Sequence, residues 1–175
     1  MPDRSNAPRL VTDRLVLRGP RREDFGAFAE VLAGARSSYM GGPYDRDRAW
    51  ALFMQLVGQW SLDGFGGWIL IEANTNRFVG DVGILQPPKF PEPEIGWTLT
   101  EAAEGHGFAT EAASAVLSWY WANSQAESVV SYITPGNTRS ERLALRLGAK
   151  QDHAAPLPAG ETLDETAVWR HQRPT

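Results

Sequence analysis

The chain has 175 residues, 42% hydrophobic and 22% charged, with a formal net charge of −4 and no cysteine. That is enough apolar material for the core of one domain, and the acidic balance argues against a nucleic-acid or membrane-surface partner. Disulfides, thiolate zinc sites and a cysteine-bound acyl intermediate are excluded. The opening MPDRSNAPRL lacks the apolar segment of a signal peptide, and no run reaches the roughly 18 apolar residues of a membrane span, so a cytoplasmic protein is expected.

Residues 1–8 are polar and proline-containing and read as a loose tail. Positions 9–18 read as a turn and a short alternating strand. Pro20 opens a helix expected to reach Gly34, with Glu23 and Asp24 in its first turn, where negative charge suits the dipole. A loop rich in Gly and Tyr follows over 37–45. A second helix is expected over 46–60, with Trp50, Phe53, Met54, Val57 and Trp60 on one stripe. Segments 68–73 and 78–85 read as a hairpin around Asn74-Thr75-Asn76. The four prolines of 86–93 impose an irregular connection.

A strand over 94–99 then runs into the glycine-rich turn Gly105-His106-Gly107. The turn opens a helix with apolar positions Ala109, Ala112, Ala113, Val116, Leu117 and Tyr120. Positions 128–133 read as a buried strand with the β-branched pair Val129-Val130. Asn137 is a good N-cap for a helix to Leu147, and Gly148 sits where such helices end. Short strands are expected over 149–153 and 166–171, with a proline-containing loop between them. The whole reads as a single α/β domain over 1–175 with a partly antiparallel sheet.

A glycine-rich strand-to-helix turn presents main-chain N–H groups to phosphates, because the first helical N–H groups have no internal partner. The Gly-Lys-Ser/Thr ending of a nucleotide triphosphatase loop is absent, and Thr110 stands where a Rossmann turn needs its third glycine. What remains, Glu104-Gly105-His106-Gly107-Phe108-Ala109 followed by Thr110, resembles the acetyl-coenzyme A loop of the GNAT acetyltransferases, in the Rim-type branch that acetylates ribosomal-protein N-termini. That loop reads Gln/Arg-x-x-Gly-x-Gly/Ala, so Glu104 departs at the first position. A second signature, Asn137 and Ser140 followed by Arg146-Leu147-Gly148-Ala149, is similar to the branch's N-x-x-S…K/R-L-G-F segment, with Ala149 where Phe is commoner.

The resemblance implies a GNAT fold, with a mixed, mostly antiparallel sheet of six to seven strands and about four helices. It implies acetyl-CoA as co-substrate, no metal, and direct transfer to a primary amine, either a protein N-terminus or a small molecule. Family members often pair as homodimers, which the resemblance leaves open here. The cofactor would lie on Glu104 to Thr110 and on Asn137, and its pantetheine arm along Trp97, Thr98 and Leu99 on a strand that splays from its neighbour. A main-chain N–H on that strand would polarise the thioester carbonyl. Glu94 is the candidate base, with Glu161, Glu165 and Asp164 as weaker alternatives. Ser140 is the candidate donor to the leaving thiolate, because the tyrosine many relatives use is replaced by Ala144. Asn137 and Ser140 also suit an ordinary helix start.

An acyl-CoA sensor without turnover, or an interaction module on the same fold, is the alternative. His106 is placed in the loop and His153 and His171 at the surface; the three histidines show no metal spacing. Trp50, Trp60, Trp68 and Trp119 read as core. Tyr39, Tyr44 and the 41–43 loop lie where the acceptor pocket is expected. Arg9, Arg14, Arg18, Arg21 and Arg22 read as a solvated face.

Overall fold

A computed structural model describes residues 6–175. The expected loose tail thus falls mostly outside the described residues; within them Ala7 is buried, and the Pro8 carbonyl accepts a hydrogen bond of 2.8 Å from Trp68 Nε1. Eight strands build one sheet: β1 (Leu10–Val11), β2 (Leu15–Arg18), β3 (Gly67–Glu72), β4 (Phe78–Leu85), β5 (Glu94–Leu99), β6 (Ser128–Ile133), β7 (Lys150–Gln151) and β8 (Ala167–Gln172). Their order is β1-β2-β3-β4-β5-β6-β8-β7, antiparallel throughout except where β5 meets β6. The four α-helices among the described residues are α1 (Phe25–Ala33), α2 (Arg46–Asp63), α3 (Phe108–Asn123) and α4 (Thr138–Arg146).

The strand beyond the expected six to seven is β1. Thr12 N–H donates to the Leu15 carbonyl at 3.0 Å, so the chain reverses and residues 10–11 pair with 16–17. Two residues are too few to carry an alternation signal. The first helix begins at Phe25, later than expected, because Asp24 is engaged elsewhere. Its carboxylate accepts from Arg21 N–H at 2.7 Å and from the Arg18 guanidinium at 2.7 and 2.8 Å, which fixes a 3-10 turn at Arg22–Asp24. Part of the expected loop over 37–45 is another 3-10 turn, Ala35–Met40, and α2 runs one turn past Trp60 to Gly64, whose φ is +74°.

Strand alternation decides which layer each residue joins. Leu15, Leu17, Trp68, Leu70, Val82 and Ile84 pack beneath α3, with Trp60 and Trp119 edge-on beside Trp68. Ile69 and Ile71 face the other way, against Phe28, Leu32, Phe53 and Leu56 of α1 and α2. A third cluster joins Ile133, Ala144, Ala149 and Trp169 under α4. The consequence for function is that α3 and α4 both start beside the line where β5 and β6 meet.

Candidate active site

Strand β5 pairs with β4 along its whole length but with β6 only at Glu94↔Val130. Val130 N–H donates to the Pro93 carbonyl at 3.1 Å, whereas Thr100 N–H donates back to Val79. Main-chain groups alternate along a strand, so those of Ile95, Trp97 and Leu99 point toward β6. Beyond Glu94 the two strands part, and Trp97 and Leu99 present main-chain groups to a wedge with no strand partner among the described residues. Ser131 closes the vertex: its hydroxyl donates to the Ile95 carbonyl at 2.8 Å and lies 3.1 Å from His171 Nε2. With its proton committed to Ile95, Ser131 Oγ accepts from Nε2–H, which leaves buried Nδ1 without a partner. His171 is therefore not the expected surface residue. It is 2% exposed because β8 lies inside the sheet between β6 and β7, and burial pushes its pKa down to about 4.

The glycine-rich turn meets this wedge. Gly105 and Gly107 have φ of +76° and +81°, a region that side chains with a Cβ rarely adopt. Gly107 caps α3 without a side-chain acceptor, so the N–H groups of Phe108, Ala109 and Thr110 remain to bind an anion. The helix start is held rigidly from below. Glu111 accepts from Thr12 Oγ1 at 2.6 Å and from Arg14 N–H at 2.9 Å, and pairs with the Arg14 guanidinium at 2.7 Å. Burial alone would raise Glu111, but these hydrogen bonds outweigh it and hold its pKa low. Arg14 also bonds the His106 carbonyl at 2.8 Å and lies over the Phe108 ring.

A cavity of about 870 Å³ spans the wedge, the turn, the start of α4 and the 3-10 turn Ala35–Met40. It brings together Trp97, Thr98, Leu99, Glu104, Gly105, Gly107, Ala109 and Thr110 with Asn137 and Ser140. His106 and Phe108 do not line it; Phe108 is 4% exposed in the core, and what these two offer the site is main chain. Asn137 caps α4, its Oδ1 accepting from Ser140 N–H at 3.4 Å, and Trp97 Nε1 donates to Ser140 Oγ at 3.4 Å. Ala144 is fully buried under α4, turned away from the cavity.

The cavity's charge was not foreseen. Arg36, Arg139, Arg142 and Arg146 line it against the single carboxylate of Glu104. Glu104 is paired on both sides, with Arg36 and, at 2.7 Å, with Arg139. Its negative charge is thereby offset, and the basic excess suits a ligand with several phosphates. Arginine is common on helix surfaces, and only the contact of α4 with the turn marks these.

On the opposite side of the sheet's middle, Glu94, Gly96 and Thr98 share a face with Asp81 of β4. Glu94 does not line the cavity, yet its carboxylate folds along the strand toward Thr98. A Cβ on Gly96 would come within 3.1 Å of both its oxygens. Burial pushes its pKa up to about 8, against the opposing pull of Tyr132 N–H and Lys89. The weaker alternatives are engaged or remote: Glu161 pairs with Lys89 and Thr166, Glu165 bonds Thr162, and Asp164 is exposed. Tyr39 lines the cavity, while Tyr44 instead braces the 3-10 turn through the Met40 carbonyl. Of the supposed solvated arginines, Arg14 and Arg18 are in ion pairs with Glu111 and Asp24.

Residues 14–150 match the family model of the acetyltransferase (GNAT) domain. The uncharacterized protein YkkB of Bacillus subtilis (strain 168) is 30% identical over 148 residues, which cover 80% of this chain and 84% of that protein. The crystal structure of an acetyltransferase from Agrobacterium tumefaciens str. C58 is 36% identical, with a TM-score of 0.88 over 95% of each chain. RimL, a ribosomal L7/L12 alpha-N-protein acetyltransferase solved with coenzyme A, shares the fold at 15% identity, with a TM-score of 0.74 over 93% of this chain and 96% of its own.

Proposed function

Because the chain belongs to the GNAT acetyltransferase family, we propose that it transfers an acetyl group from acetyl-CoA directly to a primary amine, a protein N-terminus as in the Rim-type branch or a small molecule. One observation carries the reading. The unpaired edge of β5, the open start of α3 and four arginines converge on one cavity. Acetyl-CoA is a substrate here, and the cavity fits its parts. The N–H groups of Phe108 to Thr110 and the arginines take the phosphates. The main chain of Trp97 to Leu99 takes the pantetheine amides, as an added strand would. Leu99 N–H, facing the wedge, polarises the thioester carbonyl.

Glu94 removes a proton from the incoming ammonium; a carboxylate whose pKa is raised to about 8 is matched to an amine near neutral pH. Ser140, at the start of α4, gives its hydroxyl proton to the leaving thiolate. Asn137 fixes that turn and contacts the cofactor arm. The sequence has no cysteine to carry the acetyl group, and direct transfer with both substrates bound together is the route proposed.

Calorimetric titration with acetyl-CoA, with dephospho-CoA as comparator, followed by thiol-release assays against amines, tests the reading. Saturable binding with thiol release is expected. Glu94→Gln and Ser140→Ala should each lower kcat at least tenfold and leave acetyl-CoA affinity within about twofold. Binding without thiol release would mark an acyl-CoA sensor, and no binding at millimolar ligand would refute both.

A further inference from the structure

Building on the acetyl-transfer reading, we infer that Asp81 acts through the Thr98 hydroxyl as a second proton acceptor of this site, separate from Glu94. The chemistry calls for two. An ammonium that ends as an amide sheds two protons, and one carboxylate can hold only one.

Asp81 lies in the middle of β4, 9% exposed and directly opposite Thr98 in the register. Thr98 lines the cavity between the two β5 residues whose main chain faces the wedge, and its hydroxyl contacts Asp81 and, at 3.7 Å, Met40 Sδ. Thr98 thus connects a buried carboxyl to the place where an amine must approach. Other buried or partly buried acids have cations: Asp24 has Arg18, Glu111 has Arg14, Glu104 has Arg36 and Arg139, and Asp152 has Arg170. Asp81 has none acting on it among the described residues. Burial pushes its pKa up to about 7, opposed only by the Thr98 hydroxyl. A buried carboxyl without a cation costs stability, and an amide of the same shape would cost less. Such groups concentrate where a reaction uses them.

The protons balance as follows. Glu94 takes the first from the ammonium, leaving a neutral amine. As the C–N bond forms, nitrogen becomes positive and the carbonyl oxygen negative. The nitrogen gives its proton to Thr98 Oγ while the Thr98 hydroxyl proton moves to Asp81 Oδ. The C–S bond breaks with its electron pair leaving on sulfur, and the thiolate takes a proton from Ser140, which solvent restores. Two protons leave nitrogen and one enters the thiol, so each turnover releases one.

Asp81 is a positioning residue in this scheme, since of the pair it is Thr98, not Asp81, that touches the reacting nitrogen. The test follows thiol release from acetyl-CoA with n-butylamine and with a serine-initiated tripeptide. Asp81→Asn and Thr98→Val should each lower kcat about a hundredfold. KM for the amine and the acetyl-CoA Kd should stay within about twofold, and the Asp81→Asn Tm should equal or exceed that of the parent. Because the two residues act as one path, the double variant should fall no further than either single one. Variants that keep full kcat would overturn the assignment and leave acetyl transfer standing. A lower Tm with loss of acetyl-CoA binding in Asp81→Asn would make Asp81 merely structural and overturn it equally. A parent protein that releases no thiol with either amine would refute the transfer reading, and this inference with it.

Discussion

Acidification should weaken the fold through His171, and the loss should vanish when that side chain cannot titrate. The ring is 2% exposed and neutral, with Nε2–H committed to Ser131 and Nδ1 buried without a partner. An unfolded chain protonates this histidine at the ordinary imidazole value of 6.5, the folded chain only at about 4. Its folded pKa is depressed, so the stabilising preference for the neutral ring is complete above pH 6.5. It is lost as the pH falls from 6.5 to 4, where the unfolded state binds a proton that the native state refuses. A gap of about 2.5 in pKa corresponds to about 3 kcal/mol, a large share of the 5–15 kcal/mol typical of a domain. For a chain of this size that is a Tm change of roughly 6–12 °C. His171→Gln keeps a donor toward Ser131 and removes the titration. Denaturant melts of both proteins at pH 8, 6.5, 5 and 4 give the difference in stability at each pH. Asp81 and Glu94 titrate in the opposite sense: their folded pKa values are raised to about 7 and about 8, so they favour the fold as pH falls below those values. Only the parent-minus-variant difference isolates the histidine. It should be constant from pH 8 to 7 and then move against the parent by about 3 kcal/mol by pH 4. A difference that stays flat to pH 4 would refute the buried neutral ring and, with it, the Ser131 anchor at the vertex of the wedge.

Two other perturbations separate the cofactor cleft from general stability. Gly107→Val forces a β-branched residue to φ +81° and should raise the acetyl-CoA Kd at least tenfold, as read by calorimetry. Gly64→Ala, at φ +74° beyond α2 and far from the cavity, should show comparable destabilisation with unchanged affinity; equal losses in both would mean that Gly107 acts only through stability. Glu104→Gln should release Arg36 and Arg139 from their carboxylate and tighten acetyl-CoA binding by up to about fivefold, the worth of a partly exposed ion pair near 1 kcal/mol. The gain should shrink at high salt. Weaker binding instead would mean that Glu104 serves the site by bracing the two arginines.

The cavity proposed to hold acetyl-CoA was legible in outline because local rules shape much of its lining. Glycines at positive φ, an open helix start and an N-cap asparagine follow from residues a few positions apart, and the strands at 78–85, 94–99 and 128–133 follow from short apolar runs. What sequence missed is set by partners far along the chain. Arg14 meets Glu111 across 97 positions, so a row of arginines that reads as solvated is in part a clamp on the glycine-rich turn. Arg36 reaches Glu104 only because α1 ends beside the turn, which no local pattern encodes. The edge strand β1 escaped because two residues carry no periodicity.

His171 was expected at the surface and Asp81 drew no expectation at all, and the physical reason is the same for both. A polar residue inside an apolar strand reads as a surface position when its strand is taken for an edge. Here β8 and β4 are both interior, so each polar side chain is carried into the sheet's packed layers. The run Val79-Gly80-Asp81-Val82-Gly83-Ile84 held the warning, since Asp is a poor strand former and stands here among apolar and glycine neighbours. Burial of such a group is unfavourable, and the sheet keeps it at the one point of β4 that faces Thr98. The same strand pair whose unpaired edge borders the cavity also carries, two positions apart along one face, the two carboxyls whose pKa values burial lifts to about 7 and about 8. On the proposed reading, an amine arriving there would meet acceptors for both of the protons it must lose, while the phosphates would be held on the far side of the wedge by arginines that cannot compete for them.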